Sequence, residues 1–195
     1  KSKETEREAR QAVKLDPGSP SARSTLAQIL FQRAVAGADP TSRLKESESI
    51  YQDLLDHDQA DEISAQALAD LQRGREDLAA AAATLERYRA SHPGSVEVDF
   101  NLARIYLDLG KSEEARRLLE GNLEKDPDSR ETPQLLADIL QEAGEAQKAV
   151  EIFRPVTESN PSNPYGQYRL GALMNSAGDF ENAQEHLLHA LQADP

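Results

Sequence analysis

Two histidines near the end of the sequence, His186 and His189, come nearest to a chemical motif in type and spacing. Three residues apart on a helix, two imidazoles share one face and could supply two ligands to a zinc ion. A third ligand would have to come from elsewhere in the chain, and no H-E-x-x-H signature accompanies the pair. Exposed histidines on a helix are the commoner case, so we predict no metal site.

The other groups that could act in catalysis do not form a constellation. His57 and His92 fall near predicted helix ends, where an imidazole can meet terminal carbonyl groups. The chain has no cysteine, which excludes disulfides and thiolate metal sites. The cysteine content therefore does not indicate whether the protein lies in a reducing or an oxidising compartment. No glycine-rich phosphate loop or G-x-S-x-G sequence is present, and the carboxylates lie on solvated helix faces. We therefore predict no catalytic residue, no cofactor and no enzymatic activity.

The charge of the chain restricts its partners. A formal net charge of −13 argues against a surface that binds nucleic acid phosphates. The longest apolar run, Leu78–Ala83, is far shorter than the roughly 18 residues of a membrane-spanning helix. We expect a protein or peptide ligand, no nucleic acid and no membrane insertion within this segment. The sequence leaves both cytoplasm and periplasm open as locations.

A set of residue types that recurs every 34 residues indicates the architecture. Self-similarity at this period is typical of repeat arrays. The recurring positions are a Leu-Ala or Leu-Gly pair, a turn glycine, an alanine and a closing proline. They are Leu102-Ala103, Leu136-Ala137 and Leu170-Gly171; Gly110, Gly144 and Gly178; Ala115, Ala149 and Ala183; and Pro127, Pro161 and Pro195.

Each period has the pattern of a helical hairpin. Leu102 and Tyr106 lie one turn apart on one helical face, and the small Ala103 between them allows a second helix to approach closely. Gly110 suits the left-handed conformation that ends a helix, and Pro127 stops the second helix because it lacks an N–H. Each hairpin leaves an apolar face that only stacking against its neighbours can bury.

This pattern resembles the tetratricopeptide repeat, most closely over Val96–Pro195. The match rests on the Leu-Ala or Leu-Gly pair, the turn glycines, the alanines of the second helix and the closing prolines. A large apolar residue at Tyr106, Leu140 and Met174 completes it. The slot in which the family prefers tryptophan holds Ala65, Asp99, Pro133 and Gln167 instead. The resemblance implies an all-α fold, a right-handed α-solenoid of stacked helix-turn-helix repeats.

We predict a single array over residues 1–195. Its units are a half repeat at 1–17, a repeat with an eight-residue insertion at 20–61, and four further units at 62–95, 96–129, 130–163 and 164–195.

Several helix starts can also be predicted from capping residues. Thr41 or Ser42 can cap a helix that begins at Arg43, and Thr132 and Asn163 each precede a first-turn proline.

Both ends of the array have the pattern of a cut solenoid. The sequence opens at Lys1 with a second helix that lacks its first, and the last helix carries an uncovered apolar stripe at Phe180, Leu187 and Leu191. Solenoids normally need polar capping helices at their ends. We therefore expect an excerpt of a longer repeat protein, or else self-association through the exposed ends.

The resemblance implies a concave groove lined by residues of the first helix of each unit. Aromatic, arginine and amide side chains in one groove suit peptide recognition. A clamp for carboxylate termini is excluded, because Gln66, Asp70, Glu131 and Leu135 stand where that clamp needs cations or asparagine. The candidate residues of the groove are Phe100, Asn101, Arg104, Gln134, Asp138, Tyr165, Tyr168 and Arg169.

These observations predict a non-enzymatic protein-binding scaffold or adaptor. The resemblance suggests a piece of a larger bacterial multi-repeat assembly or of an envelope-biogenesis protein. The alternative is a regulatory or substrate-recruiting domain of an enzyme whose catalytic part lies outside this segment.

Overall fold

The structure, a computed structural model, describes residues 2–37 and 39–193. Lys1, Ala38, Asp194 and Pro195 are outside the described residues, and Pro195 is the last predicted closing proline. Over the described residues the fold is all-α, as predicted. The helices are α1 (Ser2–Leu15), α2 (Pro20–Val35), α3 (Pro40–Asp56), α4 (Glu62–Arg73), α5 (Leu78–Ser91), α6 (Val96–Asp108), α7 (Ser112–Lys125), α8 (Glu131–Glu142), α9 (Ala146–Ser159), α10 (Pro164–Ser176) and α11 (Phe180–Ala193).

The chain divides into two compact units, Lys1–Gly110 and Lys111–Pro195. The first contains α1–α6 and the second α7–α11, and within each unit helices that follow one another in the chain pack together. The cores consist of the apolar faces that the 34-residue pattern predicts. The largest fully buried side chains include Leu30, Leu54, Leu68, Leu85 and Leu102 in the first unit and Leu119, Leu136, Phe153 and Leu170 in the second.

In the hairpins that lie within one unit, a small residue occupies the predicted contact slot. Ala27, Ala69 and Ala137 are at most 2% exposed. At Gly171 the approach is closer still, because a Cβ there would lie 2.9 Å from Cγ of Leu187 and 3.1 Å from the carbonyl oxygen of Ala183. Both neighbours belong to α11, so the missing side chain of Gly171 determines how closely α10 and α11 pack.

The turns inside the hairpins adopt the left-handed conformation that the glycines predict. Gly110, Gly144 and Gly178 have φ of +73°, +78° and +83°. In the earlier hairpin the sequence places its glycine two residues early, at Gly74. The structure keeps the register by another route: Gly74 is right-handed, and Glu76, 34 residues before Gly110, takes the left-handed conformation with φ of +63°.

Of the three helix starts predicted from capping residues, one is confirmed and two are wrong. Asn163 caps α10 by accepting a hydrogen bond from the N–H of Tyr165 at 3.1 Å. The third helix begins at Pro40 and not at Arg43, since proline at the first helical position needs no hydrogen-bond partner for its nitrogen. Thr132 lies inside α8, where the Ser129 hydroxyl accepts from its N–H at 3.3 Å.

Helix α1 is held to the first unit by a buried carboxylate. Glu6 is only 7% exposed and accepts hydrogen bonds from Arg10 at 3.1 Å, from Arg43 at 3.2 Å and from Arg33. Burial raises the pKa of the Glu6 carboxyl, but the hydrogen bonds from Arg43 and Arg10 and the charge of Arg33 together place that pKa below its ordinary value. The apolar part of the contact comes from Ala9, which is buried in the cluster with Leu26 and Leu30, and from Val13, which packs against that cluster.

Gly171→Ala tests the close approach of α10 and α11. The added methyl group overpacks the contact, which costs about 1–3 kcal/mol, while the better helix propensity of alanine returns at most about 1 kcal/mol. We expect a lower free energy of unfolding in urea denaturation. The control is Gly121→Ala in α7, where a Cβ meets nothing within 4 Å and the same propensity gain should stabilise the protein. A Gly171→Ala variant as stable as the wild type would show that the helices can separate without cost.

Glu6→Gln tests the ion cluster. Its charged hydrogen bonds are each worth about 1.5–3 kcal/mol, so we expect protection of the α1 amides from hydrogen exchange to fall at neutral pH. Because the folded pKa of Glu6 lies below its ordinary value of 4.5, its contribution is complete above that pH and is lost as the pH falls below it. The difference between wild type and variant should therefore shrink in acid. Glu4→Gln, at an exposed position of the same helix, should leave protection unchanged, and a Glu6→Gln variant that behaves like it would contradict the account.

Candidate peptide-binding surface

A pocket of about 480 Å³ opens between α10 and α11. Asn163 caps α10 and Pro164 occupies its first position, which fixes the start of the helix so that Tyr165 and Tyr168 lie on one face. The second helix contributes Leu187 and Leu191, also one turn apart. The lining residues are Pro164, Tyr165, Tyr168, Leu187, Ala190 and Leu191.

This pocket carries much of the exposed apolar surface of the second unit. Tyr165 and Tyr168 are each 56% exposed and Leu191 is 64% exposed, and Phe180 at the start of α11 is also exposed. Large contiguous apolar patches are rare on monomeric soluble proteins and usually mark interaction sites. Tyrosine suits such a surface because its ring packs against apolar groups while its hydroxyl stays hydrated. The pocket, which we call the α10–α11 pocket, is therefore the candidate site of the second unit.

Two other predicted site residues of the second unit form an ion pair. Arg169 on α10 donates to the carboxylate of Asp138 on α8. The Arg169 side chain is mostly buried and Asp138 is about half exposed, so solvent screens the pair and its net contribution to stability is about 0–1 kcal/mol. Gln134, one turn before Asp138 on α8, is half-buried. The charge of Arg169 is thus already neutralised within the second unit.

The remaining predicted residues belong to the first unit, on α6. Phe100 is half-buried and Arg104 is exposed. The amide of Asn101 donates to Glu97 at 3.4 Å. The structure therefore brings Tyr165 together with Tyr168 and Arg169 with Asp138, and it places the three α6 residues in a separate unit.

Sequence reasoning missed the contribution of α11 to the pocket. The groove was assigned to the first helix of each hairpin because the resemblance implies that assignment. The signal for α11 was present in the four-residue spacing of Leu187 and Leu191, which we interpreted only as an uncovered stripe at the end of the array. The structure shows that this stripe and the two tyrosines line one pocket.

Three of the four histidines have partners that suit structural roles. Nδ1 of His186 lies 2.6 Å from Oε1 of Gln167, Nδ1 of His57 lies 2.8 Å from the carbonyl oxygen of Asp53, and the ring of His92 stacks on Tyr88 with centroids 4.5 Å apart. Among residues 2–37 and 39–193, no three histidine, aspartate or glutamate side chains come together in a way that could hold a metal ion. In the same part of the chain, no helix is long and apolar enough to span a bilayer.

Comparison with sequence families agrees with the 34-residue period. Two family models, each described as a tetratricopeptide repeat, match residues 72–139 and 135–195. Together they span the last two hairpins and much of the chain before them. No curated protein sequence matches the chain significantly.

Solved structures of repeat proteins have the same fold at low sequence identity. One is described as YrrB, a TPR protein with an unusual peptide-binding site; it has a TM-score of 0.76 and 17% identity, with 96% of this chain and 92% of that one covered. A second is MamA, with a TM-score of 0.68, 15% identity and coverage of 80% and 91%. A third is MamA from Desulfovibrio magneticus RS-1, with a TM-score of 0.71, 14% identity and coverage of 88% and 95%. At these identities the likeness shows the fold, and the predicted class of stacked tetratricopeptide-like hairpins is confirmed.

Proposed function

Because the chain belongs to the tetratricopeptide repeat family, we propose that it is a non-enzymatic scaffold that binds a protein or peptide ligand. Folds of this family are typically devoted to protein–protein interaction. The observation that carries the proposal is the α10–α11 pocket, where two half-exposed tyrosines face two leucines of the next helix. The described peptide-binding site of YrrB supports a peptide as the class of ligand.

The α10–α11 pocket anchors an apolar side chain of the ligand. Burying one leucine or phenylalanine side chain between Tyr168 and Leu187 stabilises a complex by about 1.5–3 kcal/mol. The tyrosine rings add contact area at low entropic cost, because each has only two rotatable side-chain bonds. Specificity comes from the hydroxyl groups of Tyr165 and Tyr168, which can exchange water for polar groups of the ligand.

The residues around the pocket complete the proposed site. Asp138, half exposed beside Arg169, can accept from a donor on the ligand, and Gln134 can do the same through its amide oxygen. The net charge of −13 repels acidic ligands at long range, which favours a neutral or basic one. Phe100, Asn101 and Arg104 form a second proposed contact surface on the first unit.

The biological setting is a further part of the proposal. A scaffold within a larger bacterial multi-repeat assembly or an envelope-biogenesis protein agrees with the fold, and this step is analogy at the level of the fold. The rival proposal is a regulatory or substrate-recruiting domain of an enzyme. The full-length sequence separates them, because a catalytic domain in the same polypeptide favours the rival and further repeats or an export signal favour the scaffold.

Alanine substitutions of Tyr165 and Tyr168 test the proposed site. Peptides are first selected against the wild-type protein from a random display library, and their Kd values are then measured by fluorescence anisotropy. We expect Tyr168→Ala to weaken binding about tenfold, since losing a central aromatic contact costs more than about 1 kcal/mol, and the double variant to weaken it further. The melting temperature should hardly change, because both side chains are half exposed in the free protein.

The matched control is Glu185→Ala, at an exposed position of α11 outside the pocket lining. It should bind the selected peptides as the wild type does. Equal binding by all variants would place the ligand elsewhere on the protein. Light scattering at several concentrations shows whether a second copy of the chain, through the exposed Phe180 and Leu191, occupies the pocket instead.

A further inference from the structure

A second pocket, of about 320 Å³, lies on the same unit but away from the α10–α11 pocket. It is formed by the last turn of α7, the turn before α8, the start of α8 and the second part of α9. The apolar residues of its wall are Leu123, Pro127, Pro133, Ile152, Pro155 and Val156. We call it the proline pocket.

The internal repeat shows why this pocket exists. Moving 34 residues along the sequence turns Pro127, Pro133 and Ile152 into Pro161, Gln167 and His186. There the buried Gln167 amide donates to the carbonyl oxygen of Pro161 at 2.6 Å, and its Oε1 lies 2.6 Å from Nδ1 of His186. A chain of hydrogen bonds thus fills the equivalent space in the last hairpin.

Neither Pro133 nor Ile152 has a side-chain donor or acceptor. The chain of hydrogen bonds seen in the last hairpin therefore cannot form here. Pro127, Pro133 and Ile152 instead line an open pocket. The side chain of Pro133 therefore cannot donate to the carbonyl oxygen of Pro127 as the Gln167 amide donates to that of Pro161.

The proline inside α9 removes the N–H that would normally donate to a second backbone carbonyl group. Pro155 has no N–H, so the carbonyl group of Glu151 lacks the hydrogen bond that the residue four positions later normally donates. Glu151 also lines the proline pocket. Two lining residues therefore carry a backbone carbonyl group that lacks a donor: Glu151 lacks its donor within the helix, and Pro127 lacks the side-chain donor that Pro161 has in the last hairpin.

The charges of the lining favour a cationic donor. Asp128 and Glu151 contribute two carboxylates and Arg130 contributes one guanidinium group, on a chain with a net charge of −13. A carboxylate ligand has no hydrogen to donate to the carbonyl groups and would be repelled by the acidic side chains. A side chain with an apolar stem and a charged donor at its tip matches both the proline wall and the acceptors.

From this arrangement we propose that the proline pocket binds a lysine side chain of a partner polypeptide. The four methylene groups of lysine pack on the proline and isoleucine wall. The ammonium group has three hydrogens, which it donates to the carbonyl oxygens of Pro127 and Glu151 and to the carboxylate of Asp128. This site is independent of the α10–α11 pocket, so either can fail without the other.

The experiment uses a small probe, Nα-acetyl-lysine N-methylamide, titrated into the ¹⁵N-labelled protein and followed by NMR. We expect weak but saturable shifts of the amide signals of residues 128–132 and 151–156. The analogues with norleucine or Nε-acetyl-lysine should bind at least about tenfold more weakly, because they lack the charge-assisted hydrogen bonds. The arginine analogue should also bind more weakly.

Two variants test the pocket itself. Pro133→Gln supplies the amide that fills the equivalent space in the last hairpin and should weaken the lysine probe about tenfold or more. Pro155→Ala restores the missing N–H in α9 and should also weaken it, and this change favours helix and does not threaten folding. Glu185→Ala should bind the probe as the wild type does.

The proposal is overturned if the norleucine or arginine analogue binds as well as the lysine probe. It is also overturned if Pro155→Ala and correctly folded Pro133→Gln both bind with wild-type affinity, or if the wild type shows no saturable shifts at these residues. None of these outcomes bears on peptide binding at Tyr165 and Tyr168.

Discussion

In each hairpin that lies within one unit, the first helix presents an alanine or a glycine to the second helix. At Gly171 even one methyl group would meet Leu187 at 2.9 Å, so the distance between α10 and α11 leaves no room for adjustment. This contact holds Tyr165 and Tyr168 at a fixed distance from Leu187 and Leu191. The pocket between the two helices thus depends on a residue that does not line it.

The repeat makes most of the fold predictable from the sequence alone. Positions such as Gly110 require a left-handed backbone, and Asn163 before Pro164 specifies a helix start, because in each case one local interaction decides the structure. The helix that begins at Pro40 was misplaced because the weak capping signals at Thr41 and Ser42 were preferred to the stronger signal of a first-turn proline. Glu76 shows that the turn geometry, and not the glycine, is what the hairpin retains.

The candidate sites were less predictable because they depend on pairs of residues far apart in the sequence. The positions of Arg169 and Asp138 in the sequence do not show that the two side chains form an ion pair. The α10–α11 pocket joins groups from two helices, of which only Tyr165 and Tyr168 were assigned to binding. The sequence shows that Pro133 stands where the last unit has Gln167. It does not show that this difference leaves a pocket, because the hydrogen bond from Gln167 to Pro161 is seen only in the structure.

The most direct test of the central claim, that α10 and α11 together bind a peptide, is photo-cross-linking read by mass spectrometry. A display-selected peptide is synthesised with photo-leucine at its apolar anchor position and irradiated in the presence of the wild-type protein. The account predicts cross-links to the pocket wall, at Tyr165, Tyr168, Leu187 or Leu191. Cross-links confined to α1–α6 or to α7–α9 would contradict it.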